Sequence, residues 1–198
     1  AMQDLLEPIN DQIAWITGSQ VCYCAEAFQG VSRQHPDAAP LSVLATVLRN
    51  GFLHTAIREK GGAYGAGAIN DTATNTFKFF SYRDPKCSET FSAFREAIEW
   101  SKTSITDQHL EEAILGVVSS IDKPLSPVGE AKNDFNFNLE DISTKERLEM
   151  RQRVINCSID DLIRVSEKYL TKPSKKSILA GKAFSEEASS LGLNLREI

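Results

Sequence analysis

The chain has 198 residues, 41% of them hydrophobic and 25% charged, the composition of an ordinary globular domain long enough to close a core without metal or disulfide staples. Its 27 acidic against 22 basic residues give a net charge of -5, and the basic residues are dispersed, which argues against a nucleic-acid surface. The longest apolar stretches, such as Leu41 to Leu48, are interrupted by Ser42 and Thr46 and fall far short of the roughly 20 residues of a membrane span. The start Ala1-Met2-Gln3-Asp4 lacks the basic segment and apolar core of a secretory signal. Ala1 ahead of Met2 reads as an added residue on a chain whose natural start has been cut away, so the compartment stays open. One domain over 1–198 is expected.

In chain order, Gln20 to Phe28 is rich in strand formers and bounded by Gly18-Ser19 and Gly30, which predicts a strand. After Pro40, the spacing of Leu41, Leu44, Leu48, Phe52 and Ala56 predicts a helix that stops at Gly61-Gly62. Gly51 inside it is costly by about 1 kcal/mol relative to alanine and implies close packing at that point. Tyr64 to Ile69 and Thr76 to Tyr82 read as two strands of a hairpin with a wide loop. Asp84-Pro85 suits a helix start, with Phe91, Phe94 and Ile98 as its buried stripe. Thr106 opens a further helix with Leu110, Ala113, Ile114, Val117 and Val118 inward, ending before Pro124. Asp122 to Asn138, with two prolines and a glycine, is expected to be a long, partly ordered connection. Ser143-Thr144-Lys145-Glu146 and Ser158-Ile159-Asp160-Asp161 fit capping boxes of two short helices reaching about Tyr169, and Ser177 to Phe184 reads as a last strand. Strands early, helices late and no βαβ repeat predict an α+β fold, with a mainly antiparallel sheet and helices packed on one face.

The residues that carry chemistry are few. Cys22, Cys24, Cys87 and Cys157 show no C-x-x-C spacing and are read as four free thiols, Cys22 and Cys24 as small buried residues on one face of a strand. The histidines His35, His54 and His109 have no metal-ligand spacing; His109-Leu110-Glu111-Glu112-Ala113 imitates an inverted zinc motif but has Ala113 where the second ligand belongs. No metal site is expected in this chain. His54 lies one helical turn before Arg58 and could approach a substrate, although packing is its expected role. The densest signal is Arg58-Glu59-Lys60-Gly61-Gly62-Ala63-Tyr64-Gly65-Ala66-Gly67. Glycines here follow a helix and precede a strand, the reverse of the order that aims a helix N-terminus at a phosphate, so nucleotide binding is disfavoured. Read on their own, Arg58 is a surface ion pair at a helix end and Tyr64 a core tyrosine.

The run Arg-Glu-Lys-Gly-Gly-Ala-Tyr-Gly closely resembles the C-terminal half of the insulinase/pitrilysin superfamily of zinc metallopeptidases, in the form found in its presequence protease branch. Ile121-Asp122-Lys123-Pro124-Leu125-Ser126-Pro127, Thr144-Lys145-Glu146-Arg147, and Asp160-Asp161-Leu162 up to Tyr169-Leu170 are similar to further landmarks of that branch, so the likeness runs from about Gln20 to Gly181. The resemblance implies a metallopeptidase-half fold, the last domain of a longer chain, pairing with an N-terminal half that holds zinc through an H-x-x-E-H motif. It implies unfolded peptides as substrates, degraded in a chamber between the halves, with the isolated chain inactive. By the same resemblance Arg58 binds substrate, Tyr64 binds substrate and stabilises the oxyanion, and Gly65 opens a strand that extended substrate can pair with edge-on. The compartment implied is mitochondrial or plastid in a eukaryote and cytoplasmic in a bacterium. The rival reading is a structural core subunit, or a peptide-binding partner, of the same fold without hydrolysis.

Overall fold

The computed structural model describes residues 11–198. Six strands form one sheet in the order β3-β4-β2-β5-β1-β6. They are β1 (Ile13–Thr17), β2 (Cys22–Gln29), β3 (Gly65–Asp71), β4 (Thr76–Asp84), β5 (Ser174–Gly181) and β6 (Asn194–Glu197). The pairings β3 with β4, β4 with β2 and β2 with β5 are antiparallel, as expected, but β1 runs parallel to both β5 and β6. The sheet is therefore mixed. Two of its strands, β1 and β6, were not anticipated, because neither carries a turn-bounded alternating pattern: β6 is exposed along its whole length, and β1 is placed by neighbours more than 160 residues away.

The buried face follows the strand period of two. On β2, Cys22, Cys24, Glu26 and Phe28 point into the core while Tyr23, Ala25 and Gln29 face outward; on β4, Phe77, Phe79 and Ser81 are inside. Helix α1 (Ala38–Leu48) lies beneath this face with nine of its eleven residues buried, and it packs against β3 on one side and four later α-helices on others. A helix apolar on nearly all sides belongs inside a core. Helices α2 (Ser88–Thr103), α3 (Asp107–Ile121), α5 (Thr144–Ile155) and α6 (Ile159–Leu170) complete the layer.

The expected helix after Pro40 changes character midway. From Arg49 to Glu59 it continues as a π-helix, with a wider turn than an α-helix. Its buried residues are Leu53 and Ile57, one position on from the expected Phe52 and Ala56, which are only partly buried. Gly51 makes the expected close contact: a Cβ there would lie 2.6 Å from the Trp100 ring of α2.

Three boundaries differ from expectation. Helix α2 begins at Ser88 with Cys87 as its N-cap, not at Pro85. Asp84 instead ends β4 fully buried, its Oδ1 accepting from the Lys86 N–H at 3.0 Å and its Oδ2 from the Thr90 hydroxyl at 2.7 Å. The segment expected to be irregular, Asp122 to Asn138, contains helix α4 (Pro127–Leu139), capped by the Ser126 hydroxyl with Pro127 in its first turn. Proline there is a starter, since its missing N–H has no helical partner to lose. No residue of α4 is buried, so no apolar stripe advertised it. The last expected strand is displaced to Ser174–Gly181, followed by a 3₁₀ turn and a short helix α7 (Ser185–Ser190). The capping boxes of α5 and α6 form as anticipated, with the Ser143 hydroxyl accepting from Glu146 N–H and that of Ser158 from Asp161 N–H, both at 3.2 Å.

Candidate functional site

The π-helix ends where the sequence places two glycines. A Cβ on Gly61 would lie 2.4 Å from the Ile57 carbonyl oxygen, and Gly62 sits at φ +85, a conformation costly for any residue with a Cβ. Gly62 N–H donates to the Arg58 carbonyl at 3.0 Å and Ala63 N–H to the Ile57 carbonyl at 3.1 Å, so the helix end is closed by its own backbone. The chain then reverses into β3, the edge strand of the sheet, with Tyr64 just before it.

This reversal builds a cleft of about 690 Å³ lined by His54, Arg58, Glu59, Gly62, Ala63, Tyr64 and Arg83. Arg58 and Tyr64, both exposed, thus share one concavity. Arg58 Nη1 donates to His54 Nε2 at 2.9 Å, and His54 Nδ1 lies 3.4 Å from Glu59 Oε1. With Nε2 accepting, the neutral ring carries its proton on Nδ1, facing Glu59. His54 is 43% exposed and orients Arg58, which differs from the packing role expected for it. Residues four apart lie on one face of a helix, so the 54/58 pair meets.

Tyr64 is 64% exposed, its ring 5.6 Å from that of Tyr82. Arg83 was not anticipated at all. Its guanidinium carbon lies 5.7 Å from the Tyr64 ring centroid, and its carbonyl accepts from Tyr64 N–H at 3.2 Å. Arg83 also holds φ 48, a left-handed conformation that an arginine adopts at a cost of about 1–3 kcal/mol. No sequence signal marks such strain, because it arises from the junction of β4 with the Tyr64 backbone. The cleft therefore has two guanidinium groups against one carboxylate, and so favours the carbonyl or carboxylate oxygens of a ligand.

The glycines of β3 serve a purpose of their own. A Cβ on Gly65 would lie 2.4 Å from the Tyr82 ring, and one on Gly67 would lie 2.9 Å from Phe80. The two aromatic side chains of β4 lie across these glycines on the open face of the sheet. Gly65 thus presents no bare face; what it leaves available is the outer edge of β3.

The three histidines do not assemble a zinc site of the H-x-x-E-H kind. His109 Nδ1 is engaged with Thr106 at 3.1 Å in the cap of α3 and its ring packs on Trp100, while His35 Nδ1 accepts from Asp37 N–H at 3.0 Å. With His54 tied to Arg58, the three histidines hold separate structural partners.

The chain matches the family model of the PreP C-terminal domain over residues 20–179. It is 41% identical over 157 residues to a mitochondrial presequence protease of Eremothecium gossypii, covering 78% of this chain and 16% of that protein. It is 39% identical over 165 residues to the mitochondrial presequence protease of Mus musculus, covering 83% of this chain and 16% of that one. The chain thus spans about one sixth of the length of these curated relatives. Among solved structures, its fold is similar to a protease from Helicobacter pylori, with TM-score 0.73 and 19% identity over 87% of this chain and 45% of that chain. It is also similar to the inactive peptidase domain of a putative zinc protease from Bordetella parapertussis, with TM-score 0.66 and 16% identity over 81% and 93% of the two chains. By family match and sequence identity together, the chain belongs to the PreP C-terminal domain family.

Proposed function

We propose that this chain is the zinc-free C-terminal part of a presequence-protease-like zinc endopeptidase of mitochondria, and that it closes with an N-terminal zinc-binding part around short unfolded peptides. In that enzyme the zinc, when bound in the other part, polarises the scissile carbonyl and activates water. Arg58, held by His54, offers a planar fork of donors to substrate carbonyls. The Tyr64 hydroxyl donates to the carbonyl oxygen on which negative charge develops, a hydrogen bond that strengthens toward the transition state. The edge of β3 from Gly65 onward lets extended peptide pair with the sheet. The observation carrying this reading is that Arg58 and Tyr64, six residues apart, line one cleft because of the turn at Gly61-Gly62.

The test is kinetic, in the full-length enzyme with a quenched unfolded peptide. Tyr64→Phe should lower kcat by about 10²–10³-fold with little change in KM. Arg58→Lys should raise KM as well, because the fork is lost while the charge remains. A Tyr64→Phe enzyme within about twofold of wild type would remove the oxyanion role.

A further inference from the structure

Cys22, Cys24 and Cys87, read from the sequence as unconnected thiols, converge in the folded chain. Their Sγ atoms all lie within 4.8 Å of one another, and those of Cys22 and Cys24 are 3.9 Å apart. All three are buried, and Cys22 and Cys87 are wholly so. Two backbone features bring them together. The pairing of β2 with β4 shifts register between Cys22 and Cys24, a bulge of the kind that re-aims side chains at a strand end. Cys87 occupies the N-cap of α2, where serine, threonine or aspartate normally caps, yet its side chain makes no capping hydrogen bond and is turned toward the other sulfurs. The short turn carrying Cys87 is pinned from beneath by the buried Asp84 carboxylate, bonded to Lys86 N–H and to the Thr90 hydroxyl. The donors thus come from one strand, β2, and a braced helix start, with supporting hydrogen bonds behind them.

We propose that Cys22, Cys24 and Cys87 form a three-sulfur binding site for one thiophilic metal ion, Cu(I). In a trigonal plane, metal–thiolate bonds of about 2.3 Å set the sulfurs about 4.0 Å apart. The 3.9 Å between Cys22 and Cys24 meets this spacing, and the limit of 4.8 Å on the others leaves a contraction of at most about 0.8 Å. Soft sulfur donors select soft ions. Among the described residues no fourth histidine, cysteine or carboxylate joins the group, and structural zinc sites call for four ligands, so the donor number favours copper over zinc. Without metal, the Cys22 thiol donates to the Lys86 carbonyl at 2.8 Å and the Cys24 thiol lies against the Cys22 sulfur. Each S–H bond replaced by a Cu–S bond releases one proton to water, so binding is favoured as pH rises. No electron changes hands. The site is independent of peptide hydrolysis: the cleft residues Arg58 and Tyr64 supply none of its ligands.

The test is anaerobic titration of the reduced full chain with Cu(I), read by the thiolate-to-copper charge-transfer absorption, with Zn(II) in a parallel arm. One equivalent of copper should bind and raise the thermal midpoint, and X-ray absorption on the wild-type chain should count three sulfur neighbours. Cys24→Ser and Cys87→Ser should each weaken binding at least 100-fold, whereas Cys157→Ser should bind as wild type. The sulfur count needs no variant and so stands even where a substitution unfolds the chain. Absence of stoichiometric binding, fewer than three sulfur neighbours, tighter binding of Zn(II) than of Cu(I), or an intramolecular disulfide revealed by a denatured thiol count of two would each overturn the proposal.

Discussion

Two charged clusters in this molecule use the same residue types toward opposite ends. Around Asp37, a carboxylate 5% exposed receives Arg164 Nη1, Lys168 Nζ and the Tyr169 hydroxyl, each at 2.7 Å. These three donors on α6 lock the segment before α1 against the far side of the core. Around the cleft, Arg58, His54 and Glu59 form a chain of contacts among exposed or half-exposed side chains, with water free to replace each partner. The difference teaches that burial, not the number of charges, separates a clamp from a site. A buried carboxylate whose acceptor oxygens are all taken cannot exchange partners cheaply, whereas an exposed arginine contributes little to stability and remains available to a ligand.

The largest effect that sharpens this contrast is on stability. Asp37→Ala should destabilise the fold by about 3 kcal/mol, the low end for a broken buried pair because Arg164 and Lys168 are about half exposed and can be rehydrated. Denaturant melts should show this loss, while Arg58→Ala should stay within about 0.5 kcal/mol of wild type. If the two variants melted alike, the distinction between clamp and site would fail.

A smaller effect is expected at the turn that builds the cleft. Gly62→Ala places a Cβ at φ +85 and should cost about 1 kcal/mol. Because Tyr64 follows two residues later, kcat/KM of the full-length enzyme should fall by roughly tenfold or more through misplacement of the hydroxyl. Unchanged kinetics with the expected loss of stability would show that the turn does not position Tyr64.

The pH dependence separates the clusters again. Burial pushes the Asp37 carboxyl up, but hydrogen bonds from Lys168, Tyr169 and Arg164 outweigh it and hold the group below the usual carboxylate range. Its folded pKa therefore lies below its unfolded value of about 3.9, so its stabilisation is complete above that pH and is lost as pH falls through the folded value. Asp37→Asn should flatten the decline of stability between about pH 4 and pH 2 relative to wild type, as followed by urea melts at each pH. The smallest effect belongs to His54. His54→Gln should raise KM about threefold with kcat unchanged, the worth of one exposed hydrogen bond that orients Arg58, and a change confined to kcat would argue against that positioning role.

Much of the fold was legible because it is local. The hydroxyls of Ser143 and Ser158 cap where their spacing to Glu146 and Asp161 says they will, and Gly61-Gly62 stops the helix by steric necessity. Helix α4 was not legible: its start signal, Ser126-Pro127, is sound, but its exposed face offers no periodic apolar stripe to confirm it. Strand β6 escaped for the same reason. At the site, Arg58 and Tyr64 were found through family resemblance, and the glycines between them were already a physical reason to expect a turn. Arg83 lies nineteen residues after Tyr64 and reaches it only through the pairing of β3 with β4, so no spacing rule could have named it.

From sequence alone came the mainly antiparallel α+β class, the helix stop before Tyr64, the buried stripe of Phe91, Phe94 and Ile98, and the absence of metal-ligand spacing among the histidines. Those features depend on neighbours within a turn or two of the chain, where period, capping and steric limits act directly. The tertiary structure alone decided the parallel placement of β1, the π register of Arg49–Glu59, and the meeting of Cys22 and Cys24 with Cys87. Each of these depends on segments distant in sequence being packed together, since a one-residue change of helical or strand register redirects every side chain that follows, and only the assembled core selects which register is kept.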